Sequence, residues 1–166
     1  MVIVVMGVSG VGKTTVGQLL ATTQGWQFID ADDLHPDSNR QKMANGQPLT
    51  DADRWPWLAL VREQISLALA QNHSLVLACS ALRAEYRDYL AVDQQVHFVH
   101  LVGDPALIQA RLQQRSNHFM PTSLLASQLA TLERPSNALT LTVDAEPKTL
   151  VESIQRWMLD LTTSTS

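Results

Sequence analysis

The chain has 166 residues, 45% of them hydrophobic and 17% charged, with a net charge of -4. That length favours one folded domain, and the balance excludes both a disordered chain and a generally basic nucleic-acid binder. The single cysteine, Cys79, excludes an internal disulfide and fits a reducing compartment. No apolar run approaches the ~20 residues of a membrane span, and the VIVV run near the start has no basic residue before it. The expectation is a cytoplasmic protein with neither a membrane nor a nucleic-acid partner.

Val2 to Met6 is a short β-branched run of the kind found in strands buried on both faces. A glycine-rich turn follows, then a helix with Val16, Leu19 and Leu20 inward, ended by Gly25. Gln27 to Asp30 reads as a second strand. Residues 31–56 are polar and broken by Pro36, Gly46 and Pro48, which predicts a long functional insertion rather than a packed element. Pro56 is placed to start a helix with Leu58, Val61, Ile65 and Leu69 inward. Ser74 to Cys79 is a third strand, Arg83 to Leu90 a short helix and Val96 to Val102 a fourth strand. Pro105 starts a helix running to about Arg115. Residues 116–122 break the pattern, and a further helix carries Leu125, Leu129 and Leu132 before Pro135. Leu139, Leu141 and Val143 alternate as a fifth strand. Pro147 opens a last helix with Leu150, Val151, Ile154, Trp157, Met158 and Leu161 inward. This alternation predicts an α/β fold: one five-stranded parallel sheet between helices, in a single domain over 1–166.

The turn after the first strand, Gly7-Val8-Ser9-Gly10-Val11-Gly12-Lys13-Thr14, fits the P-loop pattern G-x-x-x-x-G-K-[ST] in its strand–loop–helix setting. Glycines let main-chain N–H groups curl around phosphate oxygens, and the following helix adds the partial positive charge of its N-terminus. Lys13 would bridge the outer phosphates and the Thr14 hydroxyl would hold Mg²⁺. The nucleotide-binding residues are therefore Gly7, Val8, Ser9, Gly10, Val11, Gly12, Lys13, Thr14 and the adjoining Thr15. A GTPase switch would need N-K-x-D and D-x-x-G, and neither occurs. A motor would need an acid at the end of the third strand, where Cys79-Ser80 stands instead.

The acids come at the end of the second strand, in Asp30-Ala31-Asp32-Asp33. In an extended segment Asp30 and Asp32 point to the same side, so one can support Mg²⁺ while the other takes a proton from a substrate hydroxyl. Three lysines accompany nine arginines. Arg111 and Arg115 share a helical face just before SNHFMPT, which suits a lid over about 111–135 that neutralises transferring charge. Arg83 and Arg87 repeat that spacing, and Arg54 lies in the insertion; a solvated basic face paired with Glu85, Asp88 or Glu133 is the plainer alternative.

The stretches GVSGVGKTT, DADDLHPDSNRQKMANGQPLTDADRWPWL, CSALRAEYRDYL, LVGDPALIQARLQQRSNHFMP and LLASQLATLERP together resemble the gluconate kinase family of P-loop enzymes. The resemblance implies ATP with Mg²⁺ on the P-loop, with Thr14 and Asp30 toward the metal. It implies a D-gluconate pocket lined by Asp32, His35, Arg54 and Arg83; on chemical grounds Asp32 can receive the proton from the hydroxyl under attack. It further implies a lid bearing Arg111, Arg115 and His118, and a cytoplasmic homodimer. Two positions depart from the family pattern: Ala31, where glycine is frequent, and Arg83, where lysine is frequent. The chemistry of a polyhydroxy acid agrees: Arg54 can grip the carboxylate, and His35 can hold hydroxyls or cap its turn.

Other residues read as framework. His97 and His100 are three apart in a strand and so face opposite ways, which defeats joint metal ligation. Cys79 reads as a small core residue. Trp55 and Trp57 either wall the pocket or anchor the helix start, and Trp157 reads as core.

Overall fold

The computed structural model describes residues 1–114 and 123–164. Five parallel strands, β1 (Val2–Met6), β2 (Gln27–Asp30), β3 (Leu75–Ala78), β4 (Val96–Val102) and β5 (Leu139–Thr142), form one sheet in the order β2-β3-β1-β4-β5. The helices among the described residues are α1 (Lys13–Gln24), α2 (Asp37–Ala44), α3 (Asp51–Ala70), α4 (Ala84–Leu90), α5 (Pro105–Gln113), α6 (Ser123–Thr131) and α7 (Pro147–Thr163).

Strand alternation divides the core into two layers. Ile3 and Val5 of β1 pack with Val16 and Leu20 of α1, Ile108 of α5 and Ile154 of α7. Val2, Val4 and Met6 point the other way, onto Leu58, Val61 and Ile65 of α3 and Tyr86 and Leu90 of α4. Every residue of β1 is buried, which is why its sequence is a continuous apolar run with no polar alternation. The expected three-layer α/β architecture is present, with β1, β2 and β4 bounded as anticipated. Gly25 closes α1 in the left-handed region, as its position implied. Leu19, expected inward, is 36% exposed; Gly17 takes the inner position, because a Cβ there would lie 2.7 Å from the Phe28 ring. No helix among the described residues is long and apolar enough to cross a membrane.

The largest departure from expectation is in residues 31–56, which are packed rather than irregular. Ala31–Leu34 forms a 3-10 turn, α2 follows, and α3 begins at Asp51 instead of Pro56. The cause is a capping box. The Thr50 hydroxyl accepts from Asp53 N at 3.2 Å while Asp53 Oδ2 accepts from Thr50 N at 2.9 Å, satisfying two orphan donors. Pro56 therefore sits inside the helix, where its missing N–H leaves one main-chain bond unmade. Met43 and Leu124 form a small separate cluster with Leu49, tying the region to α6.

Arg87 closes the fold near the sheet edge. It is buried, and it donates to the carbonyls of Ala81 at 2.7 Å, Leu82 at 3.1 Å and Glu133 at 2.7 Å. The solvated basic face considered for this helix thus does not include Arg87. Ala81 itself adopts φ 44°, a left-handed conformation that costs a non-glycine residue free energy, and the guanidinium holds it there. Arg87→Met keeps the side-chain length but strips three carbonyls of their donor. Each buried unsatisfied group costs about 1–3 kcal/mol, so urea unfolding should show a loss of about 3 kcal/mol or more. A loss below about 1 kcal/mol would refute the clamp.

Candidate active site

The strand register brings the site together. Asp30, Ala78 and Val5 lie in one row across β2, β3 and β1, so the P-loop and the acidic turn leave the same edge of the sheet with β3 between them. This is the carboxyl edge, where open parallel sheets bind ligands.

The P-loop is held open by glycine. Gly10 has φ 84°, and a Cβ on it would sit 2.8 Å from Leu112 of α5, so conformation and space both require glycine there. Gly12 caps α1 at φ 103° and brings no side chain of its own onto the first-turn amides, the donors that receive anions at a helix N-terminus. Lys13 Nζ donates to Val8 O at 3.0 Å, folding its side chain back over the loop.

The Thr14 hydroxyl donates to Asp30 Oδ2 at 2.8 Å, and Asp30 Oδ1 accepts from Asp32 N at 3.0 Å. Asp30 thus joins the P-loop threonine to the start of the 3-10 turn. The chain turns at Ala31 rather than continuing extended, so the two carboxylates reach the site by a different route than alternation predicts. Asp30 meets Thr14, and Asp32 lines the cleft that Lys13 also lines. That cleft includes His35, Arg54 and Trp57, and Ser127 and Gln128 of α6 close it from above.

His35 is buried, stacked on Trp57 with centroids 4.1 Å apart, and its Nδ1 lies 3.2 Å from Asn39 Nδ2. Burial first, then Arg40 and Arg54, lower its pKa to about 4, so the ring is neutral near pH 7. Trp57 is both wall and anchor, since its Nε1 donates to Ala31 O at 2.7 Å. Arg54 has a side chain 12% exposed and donates to the Tyr86 hydroxyl at 3.3 Å, with Asp51 at 3.8 Å. Tyr86 also donates to Asp51, and this bond, ahead of Arg83 and Arg54, holds the Asp51 carboxyl below its usual range.

Arg83 is not brought into this cleft. It pairs with Asp51 at 2.8 Å and lines an adjoining cleft with Thr131 and Glu133, which Arg54 also borders. Arg111 lies on the far side of the P-loop, in a third cleft with Gly10, Gly12, Thr15 and Pro147, and donates to Val143 O at 3.1 Å. Arg115 and His118 lie outside the described residues, as does part of the expected lid.

Sequence reasoning missed Gln128 and Asn39. Gln128 Oε1 accepts from Ser9 N at 2.7 Å across 119 residues, a pairing with no local signal. Asn39 Nδ2 donates to Asp53 O at 2.9 Å, and Lys42 pairs with the Asp53 carboxylate at 2.8 Å, which sets its pKa to about 2. The N-x-x-K of α2 and the D-x-D-R of α3 therefore clasp each other, and this holds His35 and Arg54 on the same cleft.

Two buried groups carry no reactive role. Burial pushes the Cys79 thiol up to about 12, which fits the core reading. His100 on β4 is buried, its Nε2 lacks a hydrogen-bond partner among the described residues, and burial, then Arg87 and Arg134, lower its pKa to about 4. An unfolded histidine takes up its proton near pH 6.5, whereas folded His35 and His100 stay neutral to about 4. Unfolding then gains protons as pH falls through this window, and stability drops by up to ~1.4 kcal/mol per pH unit for each histidine. Urea midpoints at pH 5 should fall below those at pH 7, and His100→Gln should flatten the difference. An unchanged pH slope in that variant would exclude His100 as a contributor.

A P-loop beside a carboxylate-bearing cleft, on the edge of a β2-β3-β1-β4-β5 parallel sheet, defines the class: this is a nucleotide-binding P-loop kinase. The AAA domain family model matches residues 2–135. A gluconokinase of Gluconobacter oxydans (strain 621H) is 53% identical over 136 residues, covering 81% of this chain and 76% of its own. A probable gluconokinase of Xenopus tropicalis is 42% identical, covering 93% and 92%. The crystal structure of a gluconokinase from Sinorhizobium meliloti 1021 superposes with a TM-score of 0.86 at 40% identity, covering 99% of this chain and 97% of that one. The chain belongs to the gluconokinase family.

Proposed function

We propose that the protein transfers the terminal phosphoryl group of ATP to the terminal hydroxyl of D-gluconate, giving 6-phospho-D-gluconate. The observation that carries this reading is the shared cleft, in which Lys13, Asp32, His35 and Arg54 meet beside the P-loop. Arg54 grips the acceptor carboxylate, oriented by Tyr86, and His35 engages a hydroxyl. Asp32 takes the proton of the attacking hydroxyl, and Lys13 neutralises charge on the phosphoryl group in transfer.

The nucleotide lies on the P-loop residues Gly7–Thr15, with its base toward the cleft of Arg111, Ala145 and Pro147. For Mg²⁺ the donor set fits: a hydroxyl and a carboxylate, Thr14 and Asp30, adjoin the cradle, and no cluster of three metal-binding side chains occurs among the described residues. That suits an ion which keeps waters and phosphate oxygens as most of its ligands, and which supplies charge neutralisation when bound. Residues 111–135 act as the lid, with Arg111, Arg115 and His118 closing on the phosphates and water excluded. Arg83 serves this cleft through Asp51, which it shares with Arg54. The reaction is assigned to the cytoplasm, in keeping with a lone buried thiol, and the working unit to a homodimer.

A coupled ADP-release assay over an acceptor panel tests the reading. Rapid turnover is expected with gluconate and little with shikimate or a nucleoside monophosphate. Turnover on shikimate without turnover on gluconate would reassign the acceptor, and ATP binding with no acceptor-stimulated ADP formation would point to a regulator.

A further inference from the structure

The N-x-x-K segment of α2 holds one residue with no assigned part in the chemistry. Asn39 is 2% exposed, and its side-chain amide nitrogen faces two atoms at once: Asp53 O at 2.9 Å and His35 Nδ1 at 3.2 Å. A main-chain carbonyl can only accept, so the amide atom facing Asp53 is the NH₂ and not the oxygen. An NH₂ can only donate, so the ring nitrogen it also faces must offer a lone pair. His35 Nδ1 is then bare, and in a neutral ring the single proton sits on Nε2. Trp57, stacked at an interplanar angle of 14°, fixes the plane in which that N–H points.

We propose that Asn39 is a positioning residue that locks His35 as the Nε2–H tautomer, so that the acceptor cleft presents a neutral N–H donor to an oxygen lone pair of the acceptor. Burial, then Arg40 and Arg54, disfavour a second proton on the ring, so the neutral tautomer is the one that matters near pH 7. No described residue takes a hydrogen bond from Nε2, and the ring borders the cleft that holds Asp32 and Arg54. The arrangement sets a charged donor, Arg54, and a neutral one, His35, in the same cleft as the carboxylate of Asp32. Such a set selects a polyhydroxy acid by offering lone-pair recognition at a hydroxyl while leaving that hydroxyl's own proton to a carboxylate. The identity of the recipient oxygen rests on the function proposed above; the tautomer does not.

The test reads the proton directly. Two-bond ¹H–¹⁵N correlation spectra of the histidine-labelled full chain, at alkaline pH and without acceptor, should show His35 protonated at Nε2, with His35→Gln used to assign its signals. Asn39→Asp replaces the donor by an acceptor and should move the proton to Nδ1. At the same pH it should raise the KM for gluconate by about tenfold or more, with kcat and the KM for ATP changed much less. Proton residence on Nδ1 in the unsubstituted protein would overturn the proposal even if no variant folds. So would a proton moved by Asn39→Asp with no change in the gluconate KM. If gluconate proves not to be a substrate while Nε2 carries the proton, the acceptor assignment fails and the tautomer stands.

Discussion

Asp32→Asn should lower turnover on gluconate by ~10²-fold or more, because the amide is isosteric but cannot take a proton from the attacking hydroxyl. Asp32 lines the acceptor cleft with Lys13, His35 and Arg54, whereas Asp30 is committed to Thr14 and to the main chain of the 3-10 turn. The substitution leaves those Asp30 bonds intact, since the bond to residue 32 uses its main-chain N–H. Affinity for ATP should therefore change only modestly, and the KM for gluconate less than kcat. Steady-state kinetics with a nucleotide-binding titration separate these quantities. Near-normal turnover in Asp32→Asn would move the proton-accepting role to Asp30.

Lys13→Ala should lower the rate of phosphoryl transfer by ~10²–10³-fold while leaving the fold intact. Loss of one preorganised charged donor at a developing charge costs on the order of 10²–10³ in kcat. Against stability, the lysine makes a bond to Val8 O and sits half-buried at the mouth of the loop, so unfolding should shift by no more than about 1 kcal/mol. Lys13→Arg should not restore activity, because a planar fork does not replace a compact ammonium on this loop. Transfer at near-normal rates in Lys13→Ala would separate the P-loop from catalysis, and a collapse in stability would show the lysine to be framework.

The sheet was legible because β1 and β3 are short, fully buried apolar runs and β4 is nearly so, whereas the half-buried β2 stood out by its place between Gly25 and the acidic turn. The P-loop was legible because phosphate binding forces residue type and spacing within eight positions. Residues 31–56 were not, because Pro56 imitates a helix start more loudly than the Thr50–Asp53 capping box that starts α3. The acids at 30 and 32 were found, yet through an alternation that the 3-10 turn replaces. Arg87 looked like its surface neighbours, since nothing local announces that three carbonyls will converge on one guanidinium. Gln128 and Asn39 were invisible for the same reason: their partners are brought by tertiary packing. Arg83, which the resemblance placed in the pocket, is paired by the structure with Asp51 in the adjoining cleft, a partnership that spacing along the chain does not announce.

The placing of β3 between the two reactive strands has a consequence for how such enzymes change. Adjacent parallel strands lie ~4.8 Å apart, so the stems of the phosphate loop and of the acidic turn are kept about 10 Å from each other by the sheet itself. That gauge is set by main-chain ladders and admits a single phosphoryl group with a carbinol beyond it, whatever molecule bears the carbinol. His35 and Arg54, proposed above to meet the acceptor, are held instead by a separate clasp, α2 with the first turn of α3. Grafting a different clasp between β2 and the body of α3 should therefore re-target the enzyme to another small alcohol without rebuilding its engine.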